Sequence, residues 1–307
     1  MSNSPTDNSS QLLYTVPMAE KRKRLPRYGR VPKPPSMRLT ERDKHILEAV
    51  HAYDGTLSFS QIRRMFFTGK SQTEQRLKLL YQHGYLARLN KDQRRRFPEM
   101  IYWLDKKGAE IVASLNSTPL LEFYWRREPR WFQVEHDLSV TDFRLDLIQA
   151  CYQDAEINLE TWIPESEFWA YPDKVSYTFQ DRTIKRNIRP DGYFMLTTVE
   201  TRIRYLLEID RSTEDNPRFY REKLLPGLAY LNTQAYEERF GHRSGRWLVV
   251  TTGERRLANM LRQARRAKTN GLFYFTTFDK ITPDTILHSL IWRRADRSDS
   301  VPLVFLD

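Results

Sequence analysis

The chain has 307 residues, a formal net charge of +11 from 50 Lys+Arg against 39 Asp+Glu, and one cysteine, Cys151. That length accommodates two cores. The sequence excludes an internal disulfide, a cysteine-built zinc site and a membrane-spanning run of about eighteen apolar residues, so a soluble, cytoplasmic protein without a secretory signal is expected.

The charge is unevenly placed. Residues 1–118 hold 22 Lys+Arg against 11 Asp+Glu, whereas residues 119–307 hold 28 of each. An excess confined to one module suggests an electrostatic footprint for a polyanion. Residues 1–37 mix Ser, Asn and Pro with Lys21-Arg22-Lys23-Arg24 and lack apolar periodicity, the composition of a disordered basic arm.

From Leu39 the pattern turns helical. Thr40 is an N-cap with Asp43 three positions on, Ile46, Leu47 and Val50 recur at helical spacing, and Gly55 ends the run. A second helix follows Ser58. A third begins near Ser71 with Leu77 and Leu80 inward and stops at Gly84, suited to a left-handed cap. The segments 85–89 and 100–104 alternate as a short hairpin around Asn90-Lys91-Asp92-Gln93-Arg94-Arg95-Arg96, and a helix covers 105–115. Gly69-Lys70-Ser71 is not a phosphate-binding loop, because Arg64 stands where the leading glycine belongs and no apolar strand precedes it.

After a connector over 119–133, the second region reads as a helix at 134–153, strands at 157–163, 176–180, 188–198 and 204–209, and a long helix at 218–240. A buried strand at 246–252, a helix at 255–268 and a strand at 272–277 follow, with 291–294 as a last strand in a tail over 291–307. Asp191 opens one apolar strand and Glu208 closes another. Two carboxylates on adjacent strands can converge on one hard divalent cation, the arrangement that metal-dependent phosphodiester hydrolysis needs.

Residues 38–118 resemble a winged helix-turn-helix domain. That resemblance assigns DNA contacts to Lys70, Ser71, Gln72, Gln75 and Arg76 on the third helix and to Arg94, Arg95 and Arg96 on the wing. The order of elements over 134–290 resembles the αβββαβ core of PD-(D/E)xK nucleases, giving an α+β or α/β chain of two domains. The resemblance makes Asp191, Glu208 and Asp210 metal ligands for Mg2+ or Mn2+, with the Ile209 carbonyl as a further donor. Asp210 stands where the pattern has lysine, and Lys223 on the following helix is the candidate replacement, so Asp191, Glu208 and Lys223 form the catalytic set. Glu135 and His136 open the first helix of this domain, where some relatives supply another acid.

Both halves together, with Glu208-Ile209-Asp210-Arg211-Ser212-Thr213-Glu214 as the most specific stretch, resemble the replication-relaxation family of bacterial plasmids and other mobile elements. The resemblance implies a DNA-binding protein of replication or DNA relaxation that nicks or cleaves DNA with a divalent cation. The alternative is a non-catalytic replication accessory or transcriptional regulator with a degenerate nuclease-like domain. Double-stranded DNA is the expected partner, in the nucleoid or on a plasmid, with a second copy of the chain and replication or mobilisation proteins as further candidates. The six histidines, 45, 51, 83, 136, 242 and 288, contain no close pair of the kind that tyrosine relaxases place on a metal.

Overall fold

The computed structural model describes residues 25–212 and 216–304, so Lys21-Arg22-Lys23-Arg24, Thr213 and Glu214 lie outside the described residues. The first unit runs α1 (Glu41–Ala52), β1 (Leu57–Ser58), α2 (Phe59–Phe66), α3 (Lys70–Gln82), β2 (Leu86–Arg88), β3 (Ile101–Leu104) and α4 (Lys106–Leu115). Thr40 and Asp43 close a capping box on α1, and Ser58 with Gln61 does the same for α2, so each satisfies two amide groups that a helix start leaves orphaned. Gly84 adopts φ +79° directly after α3, a conformation that a Cβ would strain. The three strands form an antiparallel sheet in the order β1-β3-β2. Ile46, Leu47, Val50, Ile62, Leu77, Leu80 and Val112 are fully buried beneath them.

Residues 25–37 carry no helix or strand, yet they are not a free arm. Gln82 accepts from the Val31 amide at 2.9 Å and donates to the Gly29 carbonyl at 2.7 Å, and Arg30 donates to the Tyr81 carbonyl at 2.7 Å. The segment is thereby strapped to the C-terminal end of α3, which composition alone does not reveal.

The second unit is built on a seven-stranded mixed sheet in the order β12-β11-β10-β9-β8-β7-β4. Its strands are β4 (Asn158–Pro164), β7 (Gly192–Thr197), β8 (Arg202–Asp210), β9 (Arg246–Thr251), β10 (Phe273–Thr277), β11 (Trp292–Arg293) and β12 (Ser300–Val301), with β8, β9 and β10 mutually parallel. Alternation along the strands splits the core in two. Leu207, Ile209, Leu248 and Val250 face α5 (Val134–Gln153) and residues 286–304, whereas Leu206, Trp247, Val249 and Phe275 face the helices that follow β8. The tail expected over 291–307 is therefore part of the sheet over its described residues, because Trp292, Val301 and Leu303 are apolar and bury on its α5 side.

Three boundaries differ from the expectation. A helix, α6 (Glu165–Ala170), follows β4, and the strand expected at 188–198 is β7, shortened at its start: an unexpected strand, β6 (Arg182–Ile188), precedes it and pairs with β5 (Asp173–Phe179) in a separate hairpin, and Arg189-Pro190 divides β6 from β7. Proline offers no amide to a ladder, so pairing stops there. The helix read over 218–240 is broken into α7 (Asn216–Phe219), a π-helical turn at Tyr220–Leu224, α8 (Leu225–Tyr230) and α9 (Gln234–Phe240). Thr233 restarts the last piece by capping the Tyr236 amide. The helix α10 (Glu254–Ala267) packs beside them. Among the described residues, no helix is long and apolar enough to cross a membrane.

A buried charge cluster joins the units. Arg130 in the connector donates to Asp137 of α5 and to Glu165 of α6, both at 2.9 Å. Asp54, in the turn after α1, lies near both acids; burial first, then their charges, push its carboxyl up to about 6. The native state therefore binds a proton that the unfolded chain releases near pH 4, and this contribution to stability is lost as pH rises from about 4 to 6. Asp54→Asn removes the ionisable group and tolerates the positive φ at this position. It is expected to raise stability at pH 7.5 by on the order of 2 kcal/mol and to flatten the pH dependence between pH 4 and 6, read from urea midpoints.

Candidate functional site

Asp191 and Glu208 are brought together by the antiparallel register of β7 and β8, in which Gly192 faces Leu207 and the Asp191 amide donates to the Leu207 carbonyl at 2.9 Å. Asp191 lies just before β7, where Pro190 ends the preceding segment. Its Oδ2 accepts the Ile209 amide at 2.6 Å and lies 3.2 Å from Nε2 of His136. Burial alone would raise the Asp191 carboxyl, but the His136 charge and these hydrogen bonds outweigh it and hold it below its ordinary value. Reciprocally, burial opposes a charge on His136, and the Asp191 carboxylate, helped by Asp137, overrides it and raises the imidazole to about 11. Asp191 is thus an oriented anion rather than a free acid.

Glu208 shares its face of β8 with Leu206 and Asp210. Its carboxylate lies 2.6 Å from Nζ of Lys223, which reaches it from the π-helical turn. Burial pushes the Glu208 carboxyl up and the neighbouring Asp191 adds to this, while Lys223 pulls it down. A π-turn advances the helix surface by an extra residue, a distortion that recurs at functional sites. Here it carries the lysine that faces the second acid.

Asp210 is committed elsewhere. Arg256 of α10 binds it through Nε at 3.0 Å and a terminal nitrogen at 2.9 Å, and the Thr251 hydroxyl donates at 2.6 Å. Three of the roughly four lone-pair directions of this carboxylate are taken and its charge is balanced by Arg256, so this geometry argues against Asp210 as the third ligand. Arg211 turns back to α5, where it binds Glu135 at 2.6 Å and Ser139 at 2.9 Å.

Asp191, Glu208, Asp210 and Lys223 line a cleft of about 1100 Å³. Its lining carries Arg96 from the loop between β2 and β3, Lys174 and Lys185 from the β5–β6 hairpin and Arg189 beside Asp191, together with Glu135, Glu165 and Glu222. The hairpin contribution escapes the sequence reading because its turn is Gln180-Asp181, both at positive φ, instead of the Asn-Gly or Asp-Gly pair that announces such turns. Arg256 was equally unreadable, since only the fold reveals what a helical arginine reaches across to.

Among the described residues no three His, Cys, Asp or Glu side chains are gathered as a metal-holding group. The Asp191 and Glu208 pair still fits Mg2+ or Mn2+ in its donor chemistry, because hard cations take oxygen ligands and Mg2+ is commonly held by one or two carboxylates with water completing its shell.

On α3, the side chains of Lys70, Ser71, Gln72 and Gln75 are exposed along one surface, with Gln75 and Ser71 3.5 Å apart. Arg76 is not available on that surface. Its Nε donates to Asp43 at 2.7 Å and a terminal nitrogen to the Arg38 carbonyl at 2.7 Å, which ties α3 to α1. In the loop between β2 and β3, Arg94 folds onto the Phe97 and Pro98 carbonyls, whereas Arg95 and Arg96 are exposed.

No curated protein and no solved structure matches the chain. A family model described as replication-relaxation matches residues 52–242, a span that runs from the end of α1 through α9 and contains Asp191, Glu208, Asp210 and Lys223. With more than half of its length in that match, the chain belongs to the replication-relaxation family.

Proposed function

We propose that this protein binds DNA of a plasmid or other mobile element through its first unit, acting as a winged helix-turn-helix, and nicks it at Asp191 and Glu208. Membership of the replication-relaxation family suggests a role in replication or DNA relaxation. The observation that carries the hydrolytic reading is the meeting of Asp191, Glu208 and Lys223 in one cleft that Arg96, Lys174, Lys185 and Arg189 also line.

Asp191 and Glu208 would hold Mg2+ or Mn2+, which supplies Lewis-acid stabilisation to the scissile phosphodiester and activates water. His136 and the Ile209 amide fix the Asp191 carboxylate in place. Lys223 provides the positive charge near the phosphate that Asp210, neutralised by Arg256, does not. Arg189 and Arg96 hold the flanking strand.

The test is incubation of supercoiled plasmid with the protein and Mg2+ or Mn2+. Appearance of nicked or linear plasmid supports the reading, and a protein that binds the plasmid yet leaves it supercoiled overturns hydrolysis. That second outcome would favour a non-catalytic accessory or regulator, a reading supported by the cationic partner that each acid already has, His136 and Lys223.

The DNA-binding half has its own test. Arg95→Ala combined with Arg96→Ala is expected to weaken duplex binding and to lower the slope of log affinity against log salt by about 2, since each phosphate contact contributes about 0.9. Fluorescence anisotropy across a salt series measures it, and an unchanged slope removes this loop from the interface.

A further inference from the structure

Two features of the cleft go beyond what cutting a duplex requires. The first is a pair of accessible aromatic rings. Phe132 is 86% exposed and Trp169 is 47% exposed, and both line the cleft that holds Asp191 and Glu208. Trp131, adjacent to Phe132, packs edge-on against Trp103 with ring centroids 5.6 Å apart. Trp169 donates from Nε1 to Glu165 at 2.8 Å and carries the Arg189 guanidinium 3.8 Å from its ring centre.

The second feature is uncompensated charge. Arg96, Lys174, Lys185 and Arg189 line the cleft, and none of them forms an ion pair with any described residue. The acids that line the cleft with them are paired with other cations, Glu135 with Arg211, Glu165 with Arg130, Glu222 with Arg186 and Asp210 with Arg256, so these four cations, from a loop, two strands and a strand entrance, suit a chain of phosphates. The cleft itself, about 1100 Å³, is slightly larger than the ~300–1,000 Å³ usual for small-molecule pockets. In a duplex every base face is already stacked on its neighbours, so its bases are not free to stack on these rings. An unpaired strand alone offers both bare faces and a flexible backbone.

We infer that the cleft takes an unpaired DNA strand, with bases stacking on Phe132 and Trp169 and phosphates on Arg96, Lys174, Lys185 and Arg189. Duplex is then held by α3 and the loop between β2 and β3, and a melted segment beside it enters the cleft and passes over the two acids. This inference rests on the reading of Asp191 and Glu208 as a nicking site and narrows its substrate to single-stranded DNA.

The experiment measures binding of a fluorescein-labelled oligodeoxythymidylate and of a labelled duplex to the full chain in EDTA, so that cleavage plays no part. Combining Phe132→Ala with Trp169→Ala is expected to weaken oligodeoxythymidylate binding by at least about tenfold, while duplex binding changes less than about twofold. The conservative pair Phe132→Trp and Trp169→Phe should restore strand binding, because both positions keep a stacking ring even though Trp169→Phe gives up the hydrogen bond to Glu165. Phe132→Ala alone, at a surface position, should lose about threefold or more and stands in for the double variant if that does not fold. An alanine pair that binds the oligonucleotide like the parent, an equal loss for strand and duplex, or no rescue by the conservative pair would each overturn the inference. Failure of hydrolysis would instead show in the plasmid assay and leave these affinities untouched.

Discussion

Asp191→Asn is expected to leave DNA affinity within about twofold of the parent and to reduce Mg2+-dependent nicking by about a thousandfold or more. The asparagine keeps the shape and can still accept the Ile209 amide, so the β7–β8 register is preserved. What it removes is the negative charge that a hard cation needs, and transition-state stabilisation of several kcal/mol from such a cation corresponds to about tenfold for each 1.36 kcal/mol. His136 provides an internal control. Its imidazole is raised to about 11 mainly by the Asp191 charge working against burial, so NMR of the variant should show it titrating much lower. Unchanged nicking by Asp191→Asn would remove Asp191 from the site, and an unchanged His136 titration would contradict the ion pair.

Arg130→Met is expected to be the most destabilising single change in the junction, by about 3–5 kcal/mol, the usual cost of removing one partner from a buried ionic group. Asp137 and Glu165 are 3% and 7% exposed and share this one guanidinium, and Asp54 lies in the same field. Without Arg130, Asp137 keeps only His136, 3.8 Å away, and Glu165 keeps no ion-pair partner among the described residues, so the acids repel one another in a poorly solvated space. The loss should appear as a lower urea midpoint with little change in slope, and acid should partly rescue it, because protonating any one of the three carboxyls relieves the repulsion. Arg130→Met carrying Asp54→Asn as well should recover part of the stability at pH 7.5. Equal stability of Arg130→Met and the parent at that pH would show that the cluster does not hold the units together.

Much of the fold is legible in the sequence itself. Capping residues such as Thr40 and Ser58, and the apolar periodicity of 46–50 and 134–153, state their helices locally, and β-branched runs such as 246–251 state buried strands. The pairing of Asp191 with Glu208 was legible because each sits at the end of an apolar strand, and neighbouring strands are usually neighbours in sequence. Partners drawn from distant elements were not. Arg256 is 46 residues from the Asp210 it neutralises and Arg76 is 33 from Asp43, and nothing in local pattern marks either arginine as different from an exposed one. The π-turn was hidden for a related reason: its extra residue changes which side of the helix Lys223 faces without changing composition.

The sheet also imposes an order of assembly. Leu207 and Ile209, the residues that flank Glu208 and face α5, share their core with Ile286, Trp292, Val301 and Leu303, and the Tyr205 hydroxyl donates to the Leu303 carbonyl at 2.7 Å. The first unit buries a core of its own within residues that the ribosome delivers early. The acid-bearing strand gains its full backing only after residue 303 has emerged. Under the proposed function, DNA binding by the first unit would therefore precede nicking at Asp191 and Glu208 as the chain emerges.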